Sequence, residues 1–171
     1  SLEDFDSVLV GFNSINMLNT KYLILNPDAQ PVVNPNALGN VWFAETPLIA
    51  ANPNEEISLI NKFNPAKQAI IDTRFKSQIA NTSYPGAAGD TIMLTSYRPN
   101  ELVYKFSSKG ERLAVFSEIY YPAGWKAYLD GAEKSYFRTN YVLRGMVIPG
   151  GNHEIKFKFK PSSYYVGDTV S

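Results

Sequence analysis

His153 is the only histidine in the chain, and cysteine is absent. One imidazole cannot build a histidine-rich metal site, and without thiols there is no thiolate centre, disulfide or cysteine nucleophile. No serine–histidine–acid arrangement is implied by the sequence either. His153 alternates in line with Ile155, Phe157 and Phe159. That row favours a structural or turn-flanking role over ligand contact.

Asp130 and Glu133 stand close enough to suggest the paired carboxylates of glycoside hydrolysis. Both flank Asp130-Gly131, however, and Asp-Gly suits a type I′ hairpin because both central residues need positive φ. The turn accounts for the aspartate without invoking catalysis. No GxGxxG or P-loop pattern occurs, and the glycines fall in turns, so no cofactor and no metal is expected.

Aromatic and basic residues offer binding chemistry instead. Trp42, Trp125, Tyr120, Tyr121, Tyr164 and Tyr165 provide flat rings that stack on sugars or fill a sandwich core. Trp125 shares a strand face with Ala127 and Leu129, which points it inward, and Pro122 and Gly124 mark the bend before it. Tyr164 and Tyr165 follow the last strand and suit an interfacial belt if a membrane segment comes next. Lys156, Lys158 and Lys160 form a ladder that reads as a solvated, aggregation-resistant face, or as a contact for anionic headgroups or glycan.

The elements that must position these residues are legible in outline. Phe5, Val8, Leu9, Phe12 and Ile15 carry helical spacing over Glu3 to Asn19. Lys21 to Leu25 reads as a buried strand, and a second strand falls around Val41 to Glu45. Asn52-Pro53-Asn54-Glu55 is a helix start with a capping residue and a proline at the first turn. Ile57, Ile60 and Phe63 line one face of the helix that follows, and Ala69 to Asp72 is a further strand. NTSYPGAAGD, residues 81–90, is the best internal boundary. Beyond it the period becomes two, with turns at Pro99-Asn100, Lys109-Gly110, Asp130-Gly131 and Pro149-Gly150-Gly151. The pattern predicts a mainly β chain with minor α: an antiparallel β-sandwich of jelly-roll or Ig-like type over 89–171. An N-terminal α/β lobe with two short helices, 1–88, packs on it as one compact unit.

Acidic and basic residues balance at 16 each, which removes the electrostatic footprint of a nucleic-acid binder. No run approaches the ~18 apolar residues that cross a bilayer. The start, SLEDFDSVLVGF, lacks the basic region of a signal peptide, and the chain reads as an excised piece of a longer protein.

SINMLNTKYLIL, NALGNVWFAE, KFNPAKQAII, LAVFSEIYYPAGWKAYLDG and NYVLRGMVIPGGNHEIKFKFKPSSYYVG occur in that order. Together they resemble the C-terminal region of the YfhO-type bacterial membrane protein family. Where relatives often carry Asp before the proline, this chain has Asn64-Pro65. The resemblance implies a polytopic GT-C-like protein that moves sugars from polyprenyl-phosphate carriers, with its catalytic acid in an early loop outside this chain. It implies that this piece is a non-catalytic extracytoplasmic domain on the periplasmic face of a bacterial inner membrane, with a membrane helix after Ser171. The implied partners are the protein's own membrane domain and an envelope glycan or lipid-linked sugar. For sugar contact the expected residues are Tyr120, Tyr128, Arg138 and Arg144, the tyrosines projecting opposite Trp125 and the arginines offering forked donors. Trp125, Asp130 and Gly131 are expected to be structural. A purely structural interaction module predicts exposed apolar surface where the membrane domain sits. A stand-alone carbohydrate-active enzyme predicts a cleft with two facing carboxylates.

Overall fold

The structure is a computed structural model, and it describes residues 12–161. Two sheets face one another. The smaller contains β6 (Thr91–Arg98), β7 (Glu101–Ser108), β9 (Trp125–Leu129), β10 (Ala132–Glu133) and β13 (Gly151–Phe159), in the order β10-β9-β13-β7-β6. The larger contains β3 (Val41–Ala44), β4 (Thr46–Ala50), β5 (Gln68–Asp72), β8 (Arg112–Ile119), β11 (Phe137–Thr139) and β12 (Leu143–Ile148), in the order β3-β8-β12-β11-β5-β4. All neighbours are antiparallel except β4 and β5. That parallel pair is joined through helix α2 (Pro53–Ile60), because parallel strands need a crossover rather than a hairpin. A short helix α1 (Asn13–Met17) and a two-stranded ribbon, β1 (Tyr22–Leu23) with β2 (Val32–Val33), precede the sandwich.

Between the sheets lie Leu102, Tyr104, Phe106, Phe116, Met146, Ile155 and Phe157. The Phe116 ring meets those of Tyr104 and Phe157 edge-on, with centroids 4.9 and 5.1 Å away. Each such pair adds roughly 0.5–1.5 kcal/mol beyond simple burial. A second core covers the opposite face of the larger sheet, where Leu113, Val115, Phe137 and Leu143 pack with Phe63, Ile70, Ile71, Tyr84 and the α2 residues Leu59 and Ile60. Strands β8 and β12 are therefore buried on both faces. This is why LAVF and GMVI run nearly unbroken in apolar residues instead of alternating with polar ones. Trp42 belongs to the second core, and its indole Nε1 donates to the Pro65 carbonyl at 2.8 Å.

The mainly β sandwich matches the sequence expectation, with two differences in layout. Among the described residues before 89, β3, β4 and β5 extend the larger sheet of the sandwich, so 81–90 connects strands of the two sheets. The stretch expected as a buried strand at Lys21 to Leu25 is instead the ribbon, with Tyr22, Ile24 and Leu25 exposed. It pairs only with Val32–Val33, so neither core covers it. Of the expected first helix, α1 is the described portion; Glu3 to Gly11 lie outside the described residues, as do Tyr164 and Tyr165. Helix α2 begins as expected, with Asn52 Oδ1 accepting from the Glu55 amide at 3.0 Å and Glu55 Oε2 reaching back to the Ala51 amide. Its buried face is rotated from the expected one. Glu56 is fully buried, whereas Ile57 is largely exposed.

Candidate functional site

Arg138 enters from β11, but its guanidinium is spent on the protein itself. One Nη donates to Glu56 Oε2 at 2.8 Å and to Asp72 Oδ2 at 3.3 Å; the other donates to the Tyr141 carbonyl. The guanidinium also lies 5.4 Å from the Tyr141 ring centroid. Glu56 Oε1 in turn accepts from the Tyr141 amide at 2.7 Å. Arg74 closes the network by a two-pronged contact with Asp72, Nε at 3.0 Å and Nη2 at 2.8 Å. Burial pushes the Glu56 carboxyl above the usual carboxylate range, against the opposing pull of the Tyr141 amide and Arg138. The Arg74 hydrogen bonds hold Asp72 down to about 2.

This network fixes the β11–β12 turn, where Asn140 and Tyr141 take left-handed φ values of 49° and 71°. Asn140 is held in that region by β5: its side-chain Oδ1 accepts from the Ile70 backbone amide at 2.8 Å, and its backbone amide donates to the Ile70 carbonyl at 2.8 Å. Strain of this kind at Tyr141 persists only where surrounding contacts over-determine it. The sequence carried a signal for Glu56, a carboxylate in register with Leu59, Ile60 and Phe63 on the apolar stripe of α2. Asp72 and Arg74 had no comparable mark.

Arg144 is the cross-strand partner of Arg138, yet its environment is different. It is 2% exposed, and its guanidinium carbon lies 4.6 Å from the Trp125 ring and 4.9 Å from the Phe157 ring. Nε donates to the Ile119 carbonyl at 3.0 Å, while Nη1 is buried without a partner. Burial holds its pKa below the ordinary guanidinium value and pushes the half-buried Glu118 carboxyl upward. Trp125 is partly buried against the inter-sheet core, with Phe159 5.3 Å away and its carbonyl accepting from the Tyr136 hydroxyl at 2.9 Å.

Tyr120 sits at the end of the sandwich between the Phe75 and Tyr136 rings, at 5.8 and 5.5 Å, and burial raises its pKa. Arg74 and Arg138 are close enough to act on it electrostatically. Tyr128 lies elsewhere, opposite Lys156 and Glu133 in the smaller sheet, with Lys160 Nζ 5.7 Å from its ring centroid. A depression of about 210 Å³ there is lined by Tyr128, Gly131, Glu154, Lys156, Lys158 and Lys160. The structure thus gathers Tyr120 and Arg138 near one network and leaves Tyr128 and Arg144 apart from it and from each other. Two of the ladder's lysines meet acids on neighbouring positions, Lys156 with Glu154 at 3.5 Å and Lys158 with Glu101 at 3.7 Å.

Asp130 and Glu133 do not face one cleft. Asp130 Oδ2 contacts His153 Nδ1 at 2.5 Å, and Glu133 meets Lys126 at 3.2 Å on the surface. Asp130 and Gly131 have φ values of 48° and 86°, the geometry of the Asp-Gly hairpin between β9 and β10. The other imidazole nitrogen of His153 faces the Gly150 carbonyl at 3.1 Å, so both ring nitrogens have acceptors. The Asp130 contact, with Gly150 behind it, raises the His153 pKa. The Glu154 amide and then His153 lower that of Asp130. Among the described residues no three metal-ligating side chains cluster.

The remaining feature is apolar. Tyr97, Ile119 and Tyr121 are each more than half exposed. They lie at the end of the sandwich where β6 and β8 finish and where β13 runs out at Phe159, whose neighbours are Trp125 and Asn100. Leu18 joins them through α1, because the Met17 carbonyl accepts from Ser117 Oγ at 2.9 Å.

Fold and side chains together define a β-sandwich domain in which the acids Glu56, Asp72 and Asp90 pair with arginines of the same chain and one end bares Leu18, Tyr97, Ile119 and Tyr121. The chain belongs to the family described as bacterial membrane protein YfhO, whose profile matches residues 73–171, more than half of its length. No curated protein and no solved structure matches it. Strands β3 to β5 precede the matched segment but are hydrogen-bonded into the same sheet as β8, β11 and β12. Among the described residues no helix is long and apolar enough to cross a membrane.

Proposed function

We propose that this chain is a non-catalytic brace: an extracytoplasmic sandwich domain that rests its apolar end against the membrane-embedded part of its own protein. The observation that carries the reading is the gathering of Leu18, Tyr97, Ile119 and Tyr121 at one end. Membership of a membrane protein family supports it. The engagement of Arg138, Arg144 and Asp130 with other groups of the chain, and the separation of Asp130 from the surface pair Glu133–Lys126, weigh against a catalytic or glycan-binding use of those residues. The resemblance in the sequence blocks supports the extracytoplasmic side.

A photo-crosslinking amino acid at Tyr121 and another at Met93, exposed at the opposite end of β6, test the reading in membranes. A brace gives crosslinks from position 121 to apolar membrane-spanning peptides and none from 93. Equal crosslinking, or crosslinks from 93 alone, sinks it. A second reading, contact with an anionic glycan, draws on the Tyr128 and lysine depression. NMR titration with envelope oligosaccharides checks it, and unmoved Tyr128 and Lys160 signals at millimolar ligand dispose of it.

A further inference from the structure

The β1–β2 ribbon holds a bare apolar face away from both cores. Tyr22 is 64% exposed, Ile24 70%, Leu25 63% and Val33 60%. Tyr22 and Val33 are register partners and share one face, and Ile24 and Leu25, just past β1, extend the bare apolar surface. Leu23 and Val32, on the other face, are partly buried. A two-stranded ribbon with two residue pairs is marginal by itself in water. Here its base is locked by Asn34, whose amide donates to the Lys21 carbonyl at 2.8 Å. The Asn34 side chain donates to Asn16 Oδ1 and to the Thr20 carbonyl, each at 2.9 Å. The turn at the far end is polar and is set by Asn26, whose Oδ1 and carbonyl accept from the Asp28 and Ala29 amides.

From this geometry we infer that the ribbon is an interfacial anchor that lies flat on the lipid bilayer, with the bare Tyr22, Ile24 and Val33 side chains at the boundary between headgroups and acyl chains. The inference rests on the brace reading and adds the lipid as a second contact. Three observations select lipid as the occupant. The chain belongs to a membrane protein family. The face carries aliphatic groups and one tyrosine, the mixture that suits the interfacial zone, and exposed Lys21 beside Tyr22 complements anionic headgroups. The ribbon is also continuous with the bare end of the sandwich: Asn19 Nδ2 donates to Asn40 Oδ1 at 2.8 Å, and the Asn40 carbonyl accepts from the Ser117 amide, on the strand that ends in exposed Ile119. A polar turn with an apolar flank fits flat contact and opposes insertion tip first.

The absence of cysteine makes the test clean, since one introduced thiol carries the only label. Ile24→Cys and, as control, Met93→Cys are labelled with an environment-sensitive fluorophore and mixed with phosphatidylethanolamine–phosphatidylglycerol vesicles, with and without brominated acyl chains. The label at 24 is expected to shift to the blue and to be quenched by brominated lipid, and the label at 93 to do neither. An Ile24→Asp/Val33→Asp chain is expected to partition on the order of tenfold less with unchanged near-ultraviolet circular dichroism, because both positions are exposed. An unquenched label at 24, equal partition of the two chains, or sedimentation showing the ribbon buried in a dimer would overturn the anchor. If the position 121 crosslinks persist in that case, the brace stands and only the anchor is lost.

Discussion

Arg138 and Arg144 face each other across β11 and β12, yet opposite outcomes are expected when their charges are removed. Arg138 neutralises a fully buried carboxylate, so Arg138→Met strands Glu56 and is expected to cost about 3 kcal/mol in urea unfolding. Arg144 has aromatic rings and one carbonyl but no carboxylate within ion-pair distance among the described residues. Arg144→Met replaces a desolvated charge by an apolar chain of similar reach, and is expected to leave stability unchanged or raise it by up to about 2 kcal/mol. If both variants lose stability equally, the distinction fails. His153 supplies the pH dependence. Its folded pKa is raised above the ordinary 6.5, so its contribution is complete below that value and fades as pH rises through the folded pKa. Asp130 has a lowered pKa, so its share is present above its ordinary 3.8 and is lost as pH falls through the folded value. The melting temperature is expected to decline from pH 6 to pH 8.5, and His153→Asn is expected to remove that decline. At this scale the sequence marked Asp130-Gly131 as a hairpin turn, but not the different surroundings of the two arginines. Both follow a β-strand period, and the presence of Glu56 near one and not the other is set by a crossover helix distant in the chain.

At the scale of elements, the glycine of β12 is the sharpest constraint. A Cβ on Gly145 would lie 2.5 Å from Cε2 of Phe137, its register partner, so the bare backbone is what admits that ring to the second core. Gly145→Ala is expected to cost about 1–3 kcal/mol by overpacking. Phe137→Leu in the same chain is expected to recover part of the loss, and an additive loss in thermal unfolding would contradict the contact. The cap of α2, the Asp-Gly hairpin and the strands from Leu102 onward could be read from local signals, because capping and turn geometry are chosen by the residues themselves. The Lys21–Leu25 strand could not. Its apolar run is that of a buried strand, and only its tertiary placement leaves it bare. The buried face of α2 slipped by one residue for a related reason: Glu56 is admitted to the apolar stripe by Arg138, which arrives from β11.

On the scale of the whole molecule, the larger sheet is built from strands on both sides of residues 81–90 and is buried on both faces, so the two cores share β8 and β12. Sequence periodicity predicted two facing layers. The third, made by α2, was hidden because the apolar pattern of β8 and β12 does not say what covers the second face. Besides the ribbon, the end that bares Leu18, Tyr97, Ile119 and Tyr121 is an unpartnered apolar feature of the described surface, and the proposed brace depends on that end facing the membrane part of the protein. The most direct measurement is labelling of single-cysteine variants in native membranes with a maleimide that cannot cross them. Ile119→Cys and Tyr121→Cys are expected to be protected until detergent is added, while Met93→Cys reacts at once. Free labelling at 119 and 121 in intact membranes would contradict the account.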